Sequence, residues 1–245
     1  MKNHKIRGMN IHSISREELK DNLEKDIKDD ILRQHISITN SEAVYIGDNS
    51  LSHFNFINNA KFSLCDGVGI QISALFHGEK IKRYHGPDFF IDTIMYGEKY
   101  GWTHYLLGGQ PGIAYKLKKL VNNKYPKCKI IGYAELPFSE EPLLNDKTIK
   151  EINLLKPNFI WLSLGLPKGE KFIMKYKKKL NVNFITHIGA AFDFHTNNIK
   201  RAPVFFQKIG LEWLYRTYYE RRLIFRVIRS FKIIIKIFFS NKSSY

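Results

Sequence analysis

The residue best suited to chemistry is Asp66, which stands in the glycine-rich segment Asp66-Gly67-Val68-Gly69-Ile70. An apolar run, Phe62–Cys65, comes directly before it, so the carboxylate is expected at the exit of a buried strand, where glycine lets the backbone approach a ligand closely. A carboxylate in that position suits a general base beside a phosphate-bearing substrate. The alternative is an ordinary turn in which Asp66 caps the following helix.

Residues that could serve the same site follow within the next twenty positions. Arg83 precedes His85-Gly86-Pro87-Asp88, and a guanidinium group suits the geometry of a diphosphate. His85 and His187 are the histidines nearest the predicted site, and either one is as readily explained as a structural residue. The nine histidines show no HxH or HxxxH spacing. The sequence therefore favours a mechanism without a bound metal or other cofactor.

Two further glycine-containing turns could hold a phosphate. Gly108-Gly109-Gln110-Pro111-Gly112 precedes a predicted helix, whose first amides and dipole favour an anion. Gly165-Leu166-Pro167-Lys168 offers a second turn with a lysine. Neither turn has the glycine spacing of a dinucleotide site or of a P-loop. A plain turn, with Lys168 in solvent, is the alternative in each case.

The elements that must position these residues alternate between strands and helices. Apolar runs predict strands at residues 62–65, 103–107, 129–132, 158–164 and 183–188, and residues 35–39 alternate toward a strand. Helical patterns lie between them, at residues 113–123 and 148–155 and after Gly69. A capping box, Ser15-Arg16-Glu17-Glu18, begins a first helix that is predicted to reach about residue 34. This order indicates an α/β fold, Rossmann-like, with a mostly parallel sheet flanked by helices.

The candidate residues share a position in that fold. Asn40, Asp66, Gly108-Gly109, Gly165 and Gly189 all fall where a predicted strand ends. Ligands of open α/β sheets bind beyond the carboxyl ends of the strands. The sequence therefore predicts that these residues contribute to one binding region.

The C-terminal segment is the most basic part of the chain. Residues 200–245 contain eleven Lys or Arg and two Glu, so they carry +9 of the formal net charge of +16. Five cations are spaced to form one stripe along a helix: Arg222, Arg226, Arg229, Lys232 and Lys236. Aliphatic and aromatic residues fall mostly on the opposite side of that helix. This pattern is typical of a helix in an anionic membrane interface. The alternatives are a helix docked on the domain by its apolar face, a homo-oligomer contact and, less favoured, a nucleic-acid helix.

The composition of the chain restricts the class of protein and the compartment in which it works. A chain of 245 residues with 44% hydrophobic and 14% aromatic residues is globular rather than disordered. Its two cysteines, Cys65 and Cys128, offer no disulfide framework, which indicates a reducing compartment. The first residues lack the apolar core of a secretory signal, and no apolar run approaches the ~18 residues of a membrane span.

Taken together, the motifs resemble the WecG/TagA/CpsF family of bacterial glycosyltransferases. The resemblance runs in order from about Met9 to Arg229. Eight pieces carry it: Asn40-Ser41-Glu42, Asp66-Gly67-Val68-Gly69, Arg83 with Gly86-Pro87-Asp88, Leu107-Gly108-Gly109-Gln110-Pro111-Gly112, the run from Gly165 to Lys171, Gly189-Ala190-Ala191-Phe192-Asp193-Phe194, Lys200-Arg201-Ala202-Pro203, and the run from Gly210 to Arg216.

The resemblance implies an inverting, metal-independent glycosyltransferase. Such enzymes move a sugar, often of the N-acetylmannosamine type, from a UDP donor to a polyprenyl-diphosphate-linked acceptor sugar. They serve teichoic acid, common antigen or capsule assembly on the cytoplasmic face of the membrane. It also implies a division into a glycosyltransferase domain, residues 1–199, and a basic membrane-associating appendage, residues 200–245. Nucleic acid is not expected as a partner.

The resemblance also implies roles for particular residues. Asp66 matches the general base, and Asn40 matches a polar residue that lines the same pocket. The other expected substrate-binding residues are Thr39, Arg83, Gly108, Gly109, Gly165, Lys168, Glu170, Arg221, Arg222 and Arg226. Of these, Gly108 and Gly109 match a loop near the nucleotide, and the arginines are candidates for diphosphate contacts.

Two positions depart from the pattern of the family. Ile38 stands where many relatives carry threonine, and Gly169 stands where they often carry glutamine. Since that glutamine is expected to touch donor or acceptor, its loss leaves open which sugar is transferred. The two departures together motivate a second hypothesis, a non-catalytic protein that binds a nucleotide sugar or a lipid diphosphate.

Overall fold

The computed structural model describes residues 1–208, 211–220 and 223–239. These residues form eight strands, which are β1 (Lys2–Ile6), β2 (Met9–Ser13), β3 (Gln34–Thr39), β4 (Phe62–Cys65), β5 (Thr103–Gly108), β6 (Lys129–Ala134), β7 (Phe159–Ser163) and β8 (Phe184–His187). The same residues form α1 (Arg16–Lys28), α2 (Ser41–Asp48), α3 (Leu51–Asn58), α4 (Val68–Phe76), α5 (Gly86–Tyr100), α6 (Ile113–Lys124), α7 (Asp146–Leu155), α8 (Lys168–Tyr176), α9 (Ala191–His195), α10 (Val204–Lys208), α11 (Glu212–Tyr219) and α12 (Ile224–Phe238). A short 3-10 turn, Lys177–Lys179, follows α8.

The chain folds as two compact units. Unit 1 consists of Met1–Ile14, Ile38–His85 and Ile199–Tyr245, and unit 2 consists of Ser15–Ser37 and Gly86–Asn198. The described residues after Ile199 therefore pack as part of unit 1. Their expected role as a separate membrane-associating appendage stays a prediction.

Unit 2 contains a parallel sheet in the order β3-β8-β7-β5-β6. Strand β7 is buried along its whole length, as the sequence predicted for a strand of a parallel sheet. The core is aromatic: the ring of Trp161 on β7 lies 5.4 Å from Phe89 and 5.0 Å from Phe90 of α5, measured between ring centroids.

Unit 1 contains an antiparallel hairpin, β1-β2, beside the parallel strand β4, with the last residues of β3 on the other side of β4. The hairpin turns at Arg7 and Gly8, which both have positive φ. The end of β3 is tied to β4 by a hydrogen bond of 2.8 Å between Thr39 Oγ1 and Ser63 Oγ. The predicted α/β class, mostly parallel strands flanked by helices, is confirmed.

The predicted length of the first helix is wrong. Helix α1 begins where the capping box predicts, with Ser15 Oγ accepting a hydrogen bond from the backbone of Glu18, but it ends at Lys28. Asp30 adopts a positive φ of 48° there, and the Ile31 amide donates to the carbonyl oxygen of Asp26. This is a Schellman ending, which the continuing leucine and isoleucine spacing conceals.

Across the described parts of the chain, every helix is too short or too polar to cross a membrane.

Candidate active site

Asp66 is held at the exit of β4 by its own backbone. Its amide donates to the carbonyl oxygen of Thr39, with an N–O distance of 2.8 Å. The next residue, Gly67, is the N-cap of α4, and no side chain caps that helix. The alternative in which Asp66 caps the following helix is therefore wrong. Its carboxylate, 19% exposed, instead lies against His85, with 3.0 Å between Oδ1 and Nδ1.

The segment that carries Arg83 and His85 runs beside the end of β4. Cys65 and Arg83 form a parallel β-bridge, and the Tyr84 amide donates to the carbonyl oxygen of Cys65 over 2.8 Å. This backbone pairing brings the imidazole of His85 to Asp66. Sequence reasoning noted His85 near the site but assigned it no role, because the bridge depends on residues separated by eighteen positions.

The electrostatics of His85 follow from that placement. Burial disfavours the imidazolium, but the hydrogen bond and the negative charge of Asp66 outweigh burial, so the pKa of His85 lies above its usual value of 6.5. Arg83 opposes this effect and Glu212 adds to it. The other ring nitrogen, Nε2, is buried and has no hydrogen-bond partner among the described residues.

Asn40 stands at the N-cap of α2, directly after β3. Its side-chain oxygen accepts a hydrogen bond of 3.0 Å from the backbone of Ala43. Because that cap uses the amide oxygen, the two donors of the amide NH₂ lie on the other arm of the side chain. A Cβ placed on Gly67 would lie 3.5 Å from Asn40 Cβ, so the turns after β3 and β4 are in contact. The structure thus brings Asn40 and the Asp66 turn together, as predicted from their places at strand exits.

Two other residues of unit 1 that were predicted to bind substrate, Thr39 and Arg83, make contacts with the protein itself. Thr39 is completely buried, where its hydroxyl bonds Ser63 and its carbonyl oxygen positions Asp66. Arg83 donates from Nη2 to the carbonyl oxygen of Gln207, 2.9 Å away. Thr39 is therefore placed to position the site, whereas Arg83 links it to α10.

Arg226 lies on Glu42, which belongs to the Asn40-Ser41-Glu42 motif. The Glu42 side chain is only 3% exposed, with Oε2 2.6 Å from Arg226 Nε and Oε1 2.8 Å from Arg229 Nη2. Farther along α12, Lys236 pairs with Asp48 at the end of α2. The predicted substrate-binding residues Arg221 and Arg222 lie outside the described residues.

Helix α12 packs against α2 and α4 within unit 1, as the docked-helix alternative expects, but it does so with more than its apolar side. Arg226 and Arg229 of the basic stripe face the Glu42 carboxylate of α2, and Ile233 and Ile237 of the same helix are buried. The helix therefore does not dock by a wholly apolar face. Much of its remaining apolar surface is exposed, namely Ile224, Phe225, Ile228, Phe231 and Ile235, with Phe239 just beyond the helix end. Membrane contact and homo-oligomer formation by this exposed surface stay predictions.

The remaining predicted substrate-binding residues belong to unit 2. Gly108 and Gly109 have φ values of 83° and 86°, which favour glycine, and the turn leads into α6 as predicted. The amide of Gly112, at the N-cap of α6, donates to Glu135 Oε1 over 2.7 Å. This helix start therefore already accommodates an oxyanion.

The second turn of unit 2 leads into α8. A Cβ placed on Gly165 would have no atom within 4 Å, so the turn is open there. Lys168 Nζ lies 3.0 Å from Glu140 Oε1 and donates to the Ser139 carbonyl oxygen. Glu170 is completely buried in the first turn of α8. A Cβ on Gly169 would lie 2.7 Å from His187 Cβ, so a glutamine could not replace this glycine without a shift.

Glu42 is the functional candidate that sequence reasoning did not identify. The signal was its place in the Asn40-Ser41-Glu42 motif, but its partners lie almost two hundred positions later in the chain. Over the described ranges, no group of three or more His, Cys, Asp or Glu side chains is arranged to hold a metal ion.

Comparison with known proteins connects this arrangement to a family. Residues 4–245 match the model of the family described as "Glycosyl transferase WecG/TagA/CpsF family". The N-acetylglucosaminyldiphosphoundecaprenol N-acetyl-beta-D-mannosaminyltransferase of Bacillus subtilis (strain 168) is 28% identical over 199 residues, which cover 80% of this chain and 75% of that protein. The protein of the same name from Staphylococcus aureus (strain NCTC 8325 / PS 47) is 24% identical over 196 residues, which cover 78% of this chain and 74% of that protein.

Proposed function

The chain belongs to the WecG/TagA/CpsF family of glycosyltransferases, and from that membership we propose that it moves a sugar from a UDP donor to a polyprenyl-diphosphate-linked acceptor sugar. The sugar is of the N-acetylmannosamine type or a related hexose, since similar proteins carry that activity in their names. The product enters a cell-surface polysaccharide such as capsule, teichoic acid or common antigen. The observation that carries this proposal is the half-buried Asp66 carboxylate, held beside Asn40 at the exit of β4.

In the proposed reaction, Asp66 is the general base. It takes the proton of the acceptor hydroxyl while that oxygen forms a bond to the anomeric carbon of the donor sugar. The bond from the anomeric carbon to the UDP oxygen breaks in the same displacement, so the configuration inverts and UDP leaves with the electron pair. Asn40 orients the acceptor through its amide donors. We propose that protein cations and amides, rather than a bound metal, stabilise the departing diphosphate.

Unit 2, considered by itself, contains groups suited to binding a phosphate. The Gly112 amide at the start of α6 already donates to a carboxylate oxygen, and phosphate oxygens favour the same site at a helix N-terminus. The Lys168 ammonium is paired with Glu140, whose side chain is largely in solvent. Exposed pairs of this kind contribute little stability, so Lys168 can exchange its partner for a phosphate at small cost.

A lipid-linked acceptor requires the enzyme to work at a membrane surface. The exposed apolar face of α12 offers a surface that can enter the headgroup region, together with Leu75 and Phe76 of α4. The ring of Phe76 lies tilted against that of Phe238, with 4.3 Å between the centroids. The basic C-terminal segment attracts anionic lipids. We therefore propose a cytoplasmic protein held peripherally on the inner face of the cell membrane.

A second candidate is a protein that binds a nucleotide sugar or a lipid diphosphate without transferring sugar. Two points favour it: Gly169 departs from the glutamine that the resemblance to the family leads us to expect, and Arg226 is held by Glu42. The two candidates differ in turnover rather than in ligand binding.

The test measures UDP release from a panel of UDP-sugars, with and without a polyprenyl-diphosphate-GlcNAc analogue. We expect acceptor-dependent release from one donor, and a loss of about 10²–10⁴-fold in Asp66→Asn, the range for a general base. Asp146→Asn is the matched control, because Asp146 is an exposed first-turn residue of α7. Full activity in Asp66→Asn would refute the mechanism. Tight UDP-sugar binding by wild type with no release from any donor would favour the second candidate.

A further inference from the structure

We propose that His85 is a positioning residue for Asp66: it holds the base carboxylate ionised and oriented through Nδ1–H, and does not itself accept the substrate proton. This inference rests on the proposed transferase function and adds to it a residue that the resemblance to the family did not assign. Three observations carry it, namely the anchoring of both residues, the inaccessibility of the two imidazole nitrogens and the charges around the ring.

Both partners are anchored by backbone rather than by flexible side-chain contacts. Asp66 is fixed by the hydrogen bond from its amide to Thr39, and the segment before His85 is fixed by the Cys65–Arg83 bridge and the Tyr84 amide. The 3.0 Å separation of Nδ1 and Oδ1 is therefore set by the ends of two paired strand segments. A base carboxylate held in this way is oriented before the substrate arrives.

The same geometry prevents His85 from acting as the base. Nδ1 is occupied by the Asp66 carboxylate, and Nε2 is buried without a hydrogen-bond partner among the described residues. A general base must come within hydrogen-bond reach of the proton that it takes, and neither ring nitrogen is open to a substrate. If the neutral ring carries its proton on Nδ1, that proton is donated to Asp66, and the buried Nε2 carries no hydrogen that would need an acceptor.

The charged groups around His85 are Asp66, Arg83 and Glu212. Burial disfavours the charged ring, whereas Asp66 favours it strongly enough that the pKa of His85 lies above its usual value. The interaction is reciprocal, because a donor or a positive charge that is stabilised by a carboxylate stabilises the ionised carboxylate equally. His85 therefore keeps Asp66 able to accept a proton at lower pH than an unassisted carboxylate would.

The proton count is unchanged by this role. The acceptor hydroxyl proton moves to the Asp66 carboxylate as the new glycosidic bond forms and UDP departs. The proton on Nδ1 of His85 stays on nitrogen throughout, so the histidine contributes a hydrogen bond to the carboxylate and no proton transfer.

Two substitutions separate positioning from other roles. In His85→Asn the amide NH₂ falls near the position of Nδ1 and keeps a donor that does not titrate, whereas His85→Phe keeps the ring and loses the donor. The control is His53→Asn, because His53 lies on α3, outside the proposed site, where its Nδ1 bonds the hydroxyl of the N-cap residue Ser50. The measurement is kcat/KM for acceptor-dependent UDP release between pH 5 and pH 9.

We expect His85→Phe to lose about 10- to 100-fold in kcat/KM at pH 7, the range for one hydrogen bond to a charged group, and its acidic limb to move to higher pH. His85→Asn is expected to keep most of the activity, and His53→Asn is expected to match wild type. A loss in His85→Asn as large as in Asp66→Asn would make His85 the base and overturn the proposal.

An unshifted acidic limb in folded His85→Phe would also overturn the proposal. If wild type shows no turnover with any donor, the proposed function itself fails, and that result is distinct from either of these.

Discussion

Arg226 and Glu42 join the C-terminal helix to the start of α2, with 2.6 Å between Arg226 Nε and Glu42 Oε2. Arg229 binds the second oxygen of the same buried carboxylate. A buried carboxylate with two guanidinium partners is satisfied, but it is costly if either the charge or the partners are removed. This pairing places the predicted diphosphate-binding Arg226 at the motif that also holds Asn40.

Glu42→Gln is therefore expected to weaken the docking of α12. The amide keeps the shape but loses the charge, so the free energy of unfolding should fall by about 1–3 kcal/mol, as for lost hydrogen bonds to charged groups. Denaturant unfolding and hydrogen exchange of residues 224–238 measure it. Glu140→Gln is the control, since the side chain of Glu140 is 93% exposed in its pair with Lys168 and its change should stay within about 0.5 kcal/mol. Equal, small changes in the free energy of unfolding of both variants would contradict a stabilising role for the pairing of Glu42 with Arg226 and Arg229.

The exposed apolar face of α12 is expected to bind vesicles of anionic phospholipid. Phe225, which is 72% exposed, and Phe231 both lie on this face, and replacing both with serine removes side chains worth about 1.5–3 kcal/mol each when buried. The double variant should lose at least about tenfold in vesicle affinity by sedimentation. Leu154→Ser in unit 2, at an 83% exposed residue, should bind as wild type does.

Two results would count against a membrane role for this face. Unchanged sedimentation of the double variant would remove the face from the membrane contact. A wild-type dimer in light scattering that becomes monomeric in the double variant would assign the face to a homo-oligomer.

The His85–Asp66 pair predicts a pH-dependent contribution to stability. Because the folded pKa of His85 lies above 6.5, its charge stabilises the fold below pH ~6.5 and this contribution is lost as the pH rises through the folded pKa. Other histidines act in the opposite direction, since burial lowers the pKa of His12 and that of His104 to about 3. The pH dependence of the stability of wild type alone therefore does not isolate the contribution of the His85–Asp66 pair.

The difference between wild type and His85→Asn isolates it. The free-energy difference of unfolding between the two proteins should be largest near pH 5.5 and should shrink by pH 8.5, because only wild type carries the titrating ring. Chemical denaturation at several pH values measures this difference. A difference that is constant with pH, or one that grows toward alkaline pH, would show that the pair does not titrate as described.

The chain itself predicted the parts of the fold that depend on neighbouring residues. Strand β4 begins and ends where its apolar run does, and Asp66 follows it as expected. The helix starts after Ser15 and at Ile113 were also predicted, because a cap or a turn is a local signal. The hairpin β1-β2 was not predicted. The residues of β1 are mostly polar, and the strand is stabilised by its pairing with β2 rather than by an apolar pattern of its own.

The tertiary structure decided which side chains meet. A backbone bridge between Cys65 and Arg83 places His85 on Asp66, and the docking of α12 joins Arg229 to Glu42 across 187 positions. The periodicity of α12 predicted that it has distinct faces, but not that its arginines would turn inward while phenylalanines stay exposed. Periodicity records only the order of side chains around a helix, whereas a buried carboxylate elsewhere in the chain determines which side of that helix packs.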